Sequence, residues 1–564
     1  MSAAPTTSSP PWRTHEVANQ PPPLAGYDTF SANRPLVEAL RREAGHFEGI
    51  EERAREIGIL AGRPEIIELG FQANENPPVL HTHDRFGQRI DDVSFHPSWH
   101  ELMGIAVHHG LHSLPWREPQ PGAHVARAAL FSLLSSVEAG FGCPISMTYS
   151  IVPALRAQPE LAAEWEPGLT SLHYDPGLRP PEDKRGLLSG MAMTEKQGGS
   201  DVRANTTVAE PVNGGGPGAE YRLTGHKWFC SAPMCDLFLV LAQAPGGLSC
   251  FALPRVLPDG TRNAFHLQRL KDKLGNRSNA SSEVEFRGAW ARMVGEEGRG
   301  VPTIIEMVNH TRLDCTTGST SGLRAGVAQA IWHASHRSAF GRPLVEQPLM
   351  ANVLADLAIE SEAATVSALW LARQFDESHA GDERARLVRR LATPVLKYWV
   401  CKRAPWHAVE CLECLGGNGY VEESGMPRLF RESPLPSILE GSGNVQALDV
   451  LRAMVKSPAA VQAFAEEVGA AAGAEPRLDR YGAALAADLR DVTGMESRAR
   501  RVVERMALAL QASLLVRFGD PAVADAFCAT RLDGDWGYAF GTLPASVADT
   551  APGIVERHAV PQSI

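Results

Sequence analysis

The apolar residues of this chain change their period twice, and that change limits the folds open to it more than any other property. From residue 35 to about 188 they recur at helical spacing, as in Leu36 and Leu40 and later in Ala129, Leu133 and Val137. Between about 191 and 294 the period falls to two, with Tyr221 and Leu223, then Val284 and Phe286, separated by polar residues and by the turn-forming stretch 213–218. After Gly300 the helical period returns in Val301, Ile304, Ile305 and Val308, and then in Leu349, Val353 and Leu357. Spacing of three and four places side chains on one helix face, whereas spacing of two places them on one face of a strand.

Helices, then strands, then helices is a segregated α+β order and not the alternation that winds a parallel sheet, so a Rossmann domain is disfavoured. With 564 residues the chain outgrows a single hydrophobic core and is expected to form three or four units. We divide it into an extended arm rich in proline, serine and threonine (1–30), a helical domain (31–190), an antiparallel β domain (191–295) and a helix bundle (296–455). An alanine-rich helical extension (456–564), broken at 473–476 and at Gly519-Asp520-Pro521, is expected as a separate appendage.

The formal net charge of -11 argues against a nucleic-acid binder of globally basic type. Nine scattered cysteines suit reduced thiols in a cytoplasm, and Cys411-Leu-Glu-Cys414 reads as core packing. The amino terminus lacks the basic start and apolar run of a signal peptide. No run of about 18 apolar residues suggests a membrane span.

Several chemistries lose their anchors. The chain has no Gly-Lys pair, which removes the phosphate loop ending in Gly-Lys-Ser/Thr. Gly318-Ser319-Thr320-Ser321-Gly322 carries threonine where a nucleophile elbow needs serine. His81, His83, His96, His100, His108 and His109 lack a helix-borne acidic partner at ligand spacing and read as surface and cap residues, so no metal site is expected.

Three segments point elsewhere when taken together. In MTEKQGGSDV, Thr194 and Ser200 flank a glycine pair whose backbone can approach an anionic or planar ligand closely. In GHKWFCS, from Gly225 to Ser231, a strand ends on an aromatic residue and a hydroxyl. In LEGSGN, Glu440 precedes glycines and Asn444 at a helix start, where free N–H groups favour phosphate or carbonyl oxygens.

These segments, in this order, resemble those of the acyl-CoA dehydrogenase family, from about Thr14 to Met454. LKDKLGNRSNAS, from Leu270 to Ser281, is similar to its alkylation-response branch. The resemblance implies the fold described above, FAD as cofactor, and Glu440 as the base that removes a proton beside a thioester carbonyl. It also implies cofactor contacts from Met191, Met193, Thr194, Gly198, Gly199, Ser200, Phe229, Cys230 and Ser231, and from Ile438, Gly441, Ser442, Gly443 and Asn444 after the bundle. Arg337, Phe340, Gly416 and Gly417 resemble residues that hold the FAD of a neighbouring subunit, which implies a homotetramer. An acyl-CoA is the implied substrate.

The branch also implies association with double-stranded DNA through the carboxy-terminal region, and here Arg452, Arg498, Arg500, Arg501 and Arg505 are the candidates. Arg498, Arg500, Arg501 and Arg505 are expected to line one helical face. Charge weighs against transfer of that property, because residues 456–564 hold one lysine and ten arginines against fourteen acidic residues, a balance of -3.

Overall fold

The computed structural model describes residues 14–561, so the first part of the expected arm lies outside the described residues. The amino-terminal layer comprises α1 (Arg34–Ala44), α2 (Ile50–Gly62), α3 (Pro64–Glu75), α4 (Pro97–His108), α5 (Leu114–Arg117), α6 (Ala123–Ser135), α7 (Gly142–Leu155) and α8 (Pro159–Leu169). Proline at the first turn of α1, α3, α4 and α8 removes an N–H that a helix start leaves unbonded. Asn33 caps α1 by accepting from the amide of Leu36, and His96 caps α4 by accepting from that of Ser98.

One element of this layer was not expected from the sequence. Strands β1 (Val79–His83) and β2 (Arg89–Ser94) pair as an antiparallel hairpin. Both strands are largely exposed or half-buried, so they carry no clear apolar alternation. The Asp84 carboxylate closes the turn by accepting from the amides of Phe86 and Gln88.

The middle layer holds β3 (Ser189–Ala192), β4 (Val208–Pro211), β5 (Glu220–Ser231), β6 (Leu237–Ala244), β7 (Gly247–Pro254), β8 (Phe265–Leu270) and β9 (Ser281–Val294). The path β6-β4-β5-β9-β7 returns to β6, which closes the sheet on itself. Closure leaves fewer unpaired edges. Not every pairing is antiparallel as expected: β3 runs parallel to β6, with Ser189 opposite Leu237 and Ala192 opposite Val240. The long connection over residues 193–236 gives the chain room to cross over, which a parallel pair needs and a hairpin does not.

The bundle is built on α9 (Gly300–His336), α10 (Pro348–His379) and α11 (Glu383–Glu413), with the short hairpin β10 (Ser338–Ala339) and β11 (Arg342–Pro343) between the first two. Then follow α12 (Met426–Glu432) and α13 (Gly443–Lys456). The carboxy-terminal segment forms α14 (Pro458–Gly469), α15 (Pro476–Arg490), α16 (Met495–Phe518), α17 (Pro521–Phe527), α18 (Ala545–Ala548) and α19 (Ala551–His558).

This last segment shares the bundle's core. Val502, Val503, Met506, Leu510 and Leu514 of α16 belong to the same apolar cluster as Leu357, Leu371 and Leu396 of α10 and α11. Polar ties reinforce the docking. Buried Arg531 donates to Asp356 at 2.5 Å and to Glu360 at 3.3 Å, while the Trp536 indole and the Gly541 amide donate to the second Asp356 oxygen. Burial pushes the Glu360 carboxyl up, but Arg403 and Arg531 overcome it and hold it at about 2. A buried carboxylate so paired keeps its charge without the cost of an unpaired ion.

Candidate active site

A buried ion pair brings two of the three segments together. Glu195 of MTEKQGGSDV and Lys227 of GHKWFCS lie 2.8 Å apart with both side chains fully buried. The Glu195 carboxylate also accepts from the amides and hydroxyls of Thr206 and Thr207. Burial pushes this carboxyl up, but Lys227 and the surrounding donors hold it at about 2. The pair was not singled out from the sequence, because its members stand 32 residues apart and neither lies at a spacing that signals contact.

On the rim of this β layer, against α9 and the 435–442 segment, opens a cavity of about 1270 Å³. That exceeds the roughly 300–1,000 Å³ of most small-molecule sites. Met191, Met193, Thr194, Gly199, Ser200, Phe229 and Ser231 line it from the β side, and Ile438, Glu440, Gly441 and Ser442 from the bundle. The backbone at Gly199 must be bare, since a Cβ there would stand 2.4 Å from Thr194 Oγ1. Phe229 keeps 51% of its surface exposed.

Glu440 is held in an unusual way. Its φ is 58°, a left-handed value that costs a residue other than glycine about 1–3 kcal/mol and persists only where neighbours enforce it. The enforcing contacts grip the carbonyls on either side. Buried Lys397 donates to the carbonyls of Leu439 and Gly441, each at 2.6 Å. Arg312 donates to the Glu440 carbonyl at 3.1 Å, and the Gln446 amide donates to those of Glu440 and Gly441. The backbone is thus pinned while one carboxylate oxygen, Oε2, is buried with no hydrogen-bond partner. Burial raises this carboxyl above its ordinary range against the opposing pull of Thr311, Lys397 and Arg312.

Other ionisable groups on the cavity wall were missed. Lys273 donates to the Asn279 carbonyl at 2.7 Å and to Ser281 Oγ at 3.0 Å, and burial lowers it to about 8. Burial and the nearby Glu138 raise the Glu432 carboxyl to about 7, and Glu432 accepts from the Asn276 amide at 2.6 Å. LKDKLGNRSNAS contains Lys273 and Asn276 and was the available signal, but nothing local in it indicates that α12 returns to cover it.

Several expected residues lie elsewhere. Cys230 is fully buried in the β core, because strand alternation turns it away from the side that Phe229 and Ser231 share. Gly198, with φ of 141°, sits beside the wall and does not line it. Gly443 and Asn444 begin α13 outside the cavity, where Asn444 Oδ1 accepts from Arg500 Nε at 2.7 Å. Arg337, Phe340, Gly416 and Gly417, expected to hold the FAD of a neighbouring subunit, are away from this chain's own cavity. Arg337 donates to the Asn19 carbonyl at 2.9 Å, and Phe340, at the hairpin tip, is 99% exposed.

The four arginines of α16 do not share one face. Arg500 turns to Asn444, roughly opposite Arg498 at the helix's angular step of ~100° per residue. Arg498 donates to the Asp491 carbonyl, and Arg505 pairs with Asp488. Arg501 and, on α13, Arg452 are exposed.

The chain matches three family descriptions in succession. These are the adaptive response protein AidB N-terminal domain over residues 19–176, the acyl-CoA dehydrogenase middle domain over 190–289 and the acyl-CoA dehydrogenase C-terminal domain over 298–455. It is similar to the putative acyl-CoA dehydrogenase AidB of Escherichia coli (strain K12), 45% identical over 93% of this chain and 95% of that one. It is also similar to acyl-CoA dehydrogenase family member 11 of Caenorhabditis elegans, 32% identical over 72% of this chain and 67% of that one. Among solved structures it resembles Caenorhabditis elegans ACDH-11 in complex with C11-CoA, with a TM-score of 0.82 and 26% identity over 98% of this chain and 95% of that one.

Proposed function

This chain belongs to the acyl-CoA dehydrogenase family, in the branch of AidB, and from that premise we propose weak dehydrogenation of short or branched acyl-CoA as its reaction. Members of the family are FAD-dependent, and FAD is the cofactor here. When bound, it supplies the acceptor for the hydride that leaves the substrate. The residues present fit such a group: a bare backbone at Gly199, the hydroxyls of Thr194 and Ser231, an exposed ring at Phe229 and a free carboxylate on the same cavity.

The single observation that carries the reading is the unpartnered oxygen of Glu440 on the cavity it shares with Thr194 and Ser231. Glu440 removes the proton from the carbon beside the thioester carbonyl. Its raised pKa makes it a stronger base than an ordinary carboxylate, and it takes that proton without first surrendering a hydrogen bond. Lys397 and Arg312 hydrogen-bond the backbone on either side, fixing where the carboxylate stands. Ile304, Ile305 and Val308 supply an apolar wall that excludes water from the reacting carbons. That a relative was solved with C11-CoA supports a CoA thioester as the ligand class.

A cytoplasmic homotetramer fits the remaining contacts. Phe340 adopts a left-handed φ of 51° at the tip of the β10–β11 hairpin with its ring in solvent. Trp406, Tyr420 and Ile438 are large apolar side chains that are also exposed, as expected of surfaces that meet another copy. Among the described residues no helix is long and apolar enough to cross a membrane.

Anaerobic titration of the purified flavoprotein with acyl-CoA esters tests the reaction. The expected result is bleaching of the flavin band by at least one short or branched ester; a fully loaded protein that no ester bleaches overturns the reading.

A second reading, a DNA-associated role in the response to alkylating agents, draws support from a groove where Arg477, Arg480, Arg501, Arg505 and Arg531 surround Tyr481. Acidic partners take up most of this charge: Asp525 and Glu475 pair with Arg477, Asp533 with Arg480 and Asp488 with Arg505. Duplex affinity is therefore expected to be weak and to fall steeply with salt. In a salt-graded mobility shift, reversing Arg452, Arg480 and Arg501 to glutamate should abolish it, and unchanged binding removes this surface.

A further inference from the structure

Three histidines from separate helices converge behind the cavity wall. His124 begins α6, His310 lies in the first third of α9 and His379 ends α10, and their ring-nitrogen ligand atoms all fall within 4.8 Å of one another. Ring centroids stand 4.7 Å apart for His124 and His379, 5.3 Å for His310 and His379, and 5.8 Å for His124 and His310. None of the three lines the large cavity, and nothing in the proposed reaction uses them.

Hydrogen bonds to backbone carbonyls prepare two of the rings in the same way. His310 Nδ1 faces the Glu306 carbonyl at 2.8 Å, and His379 Nδ1 faces the Phe375 carbonyl at 2.8 Å. A carbonyl can only accept, so both Nδ1 atoms carry the proton and both Nε2 atoms keep a lone pair. His124 Nδ1 meets the Tyr149 hydroxyl at 2.5 Å, which anchors the third ring by the same atom. The Nε2 of His310 is buried and has no partner at all, a costly arrangement in an apolar setting unless something is to occupy the site.

We infer that His124, His310 and His379 bind one divalent transition-metal ion of borderline softness, such as Zn2+ or Co2+, through their Nε2 atoms. Nδ1–H held by a carbonyl is the outer contact that orients metal-binding histidines and fixes their tautomer. A tetrahedral ion with bonds of ~2.0–2.1 Å places its nitrogens ~3.3 Å apart, so nitrogens now within 4.8 Å of one another must close by up to about 1.5 Å. His379 is exposed in the last turn of its helix and is the ring free to move. The Trp116 ring packs against all three histidines, with centroids 5.1, 5.8 and 5.5 Å from those of His124, His310 and His379.

The surroundings decide between an ion and an added proton. Burial, helped by the neighbouring histidines and by Arg389, holds His124 and His310 well below the ordinary imidazole range and lowers His379. The carbonyl-held Nδ1–H leaves a lone pair on Nε2 of His310 and His379, the form that ligates. Arg127 is already neutralised by Asp314. Arg389, over the Phe375 ring at 4.6 Å, opposes a cation, while Asp376, which accepts from the His124 and Val125 amides and whose carboxyl burial raises to about 7, favours one only in its ionised form.

Equilibrium dialysis of tag-free, chelator-treated holoprotein against Zn2+ tests the site, with Co2+ difference spectra reporting geometry. The wild type should take up one ion per chain and give the visible absorption of tetrahedral Co2+. His379→Ala, an exposed substitution outside the flavin cavity, should lose both while retaining its FAD. Tyr149→Phe, which only frees one ring, should weaken Zn2+ by about 10- to 100-fold. Failure of the wild type to bind, or equal uptake by His379→Ala, overturns the inference.

Discussion

Replacing Glu440 by glutamine lowers the rate of anaerobic flavin reduction by acyl-CoA by about 10²- to 10⁴-fold, the usual contribution of a positioned base. The substitution keeps the shape of the side chain and leaves every contact of Lys397, Arg312 and Gln446 in place, because these grip carbonyls and not the carboxylate. FAD content should therefore stay unchanged, which separates loss of the base from loss of the site. The pH profile gives a second readout. A base works only when deprotonated, so the wild-type rate falls as pH drops through the Glu440 pKa. Burial raises that pKa, so the acidic limb lies at higher pH than for an exposed carboxylate. In Glu440→Gln the limb disappears. Stopped-flow reduction across pH measures both, and a rate within a few-fold of wild type would assign the proton to another group.

The other large effect is structural. Lys227→Met removes the cation from the fully buried pair with Glu195, and stranding a buried charge costs about 3–5 kcal/mol. The sign of the pH dependence identifies the cause. In the wild type Glu195 is held at about 2, below its unfolded value. Its contribution is present above the unfolded pKa and is lost as pH falls toward that depressed value. Without Lys227 burial dominates and the folded pKa rises above the unfolded one, so the penalty is full at neutral pH and relaxes in acid. Urea unfolding of the two proteins should thus diverge at pH 7 and converge as pH is lowered. Adding Glu195→Gln should recover part of the loss. Because the pair ties MTEKQGGSDV to GHKWFCS, Lys227→Met should also release FAD more readily, read by gel filtration and flavin absorbance. A gap that stays constant with pH would mean that Glu195 is not the stranded charge.

How far the site could be read from the sequence follows from which contacts are local. LEGSGN pointed to Glu440 because a lone acid before glycines at a helix start is visible within six residues. It did not reveal that Lys397, 42 residues away, holds the loop, nor that the residue takes a left-handed backbone. Strand alternation was legible too, yet Cys230 was grouped with Phe229 and Ser231 when that alternation itself turns it inward. The basic face expected on α16 dissolved because Arg500 turns to Asn444 and Arg505 to Asp488, and partners on other helices leave no trace in spacing.

By itself the sequence determined where helices give way to strands and return, since hydrophobic period is set within a few residues by the geometry of each element. It also pointed to the candidate cofactor-binding segments, through motifs short enough to be local. Tertiary structure alone decided which groups meet: Glu195 with Lys227, the carboxy-terminal helices with the bundle core, and His124 with His310 and His379. Those meetings depend on how whole helices and sheets pack, and packing is a property of distant surfaces that no period along the chain encodes.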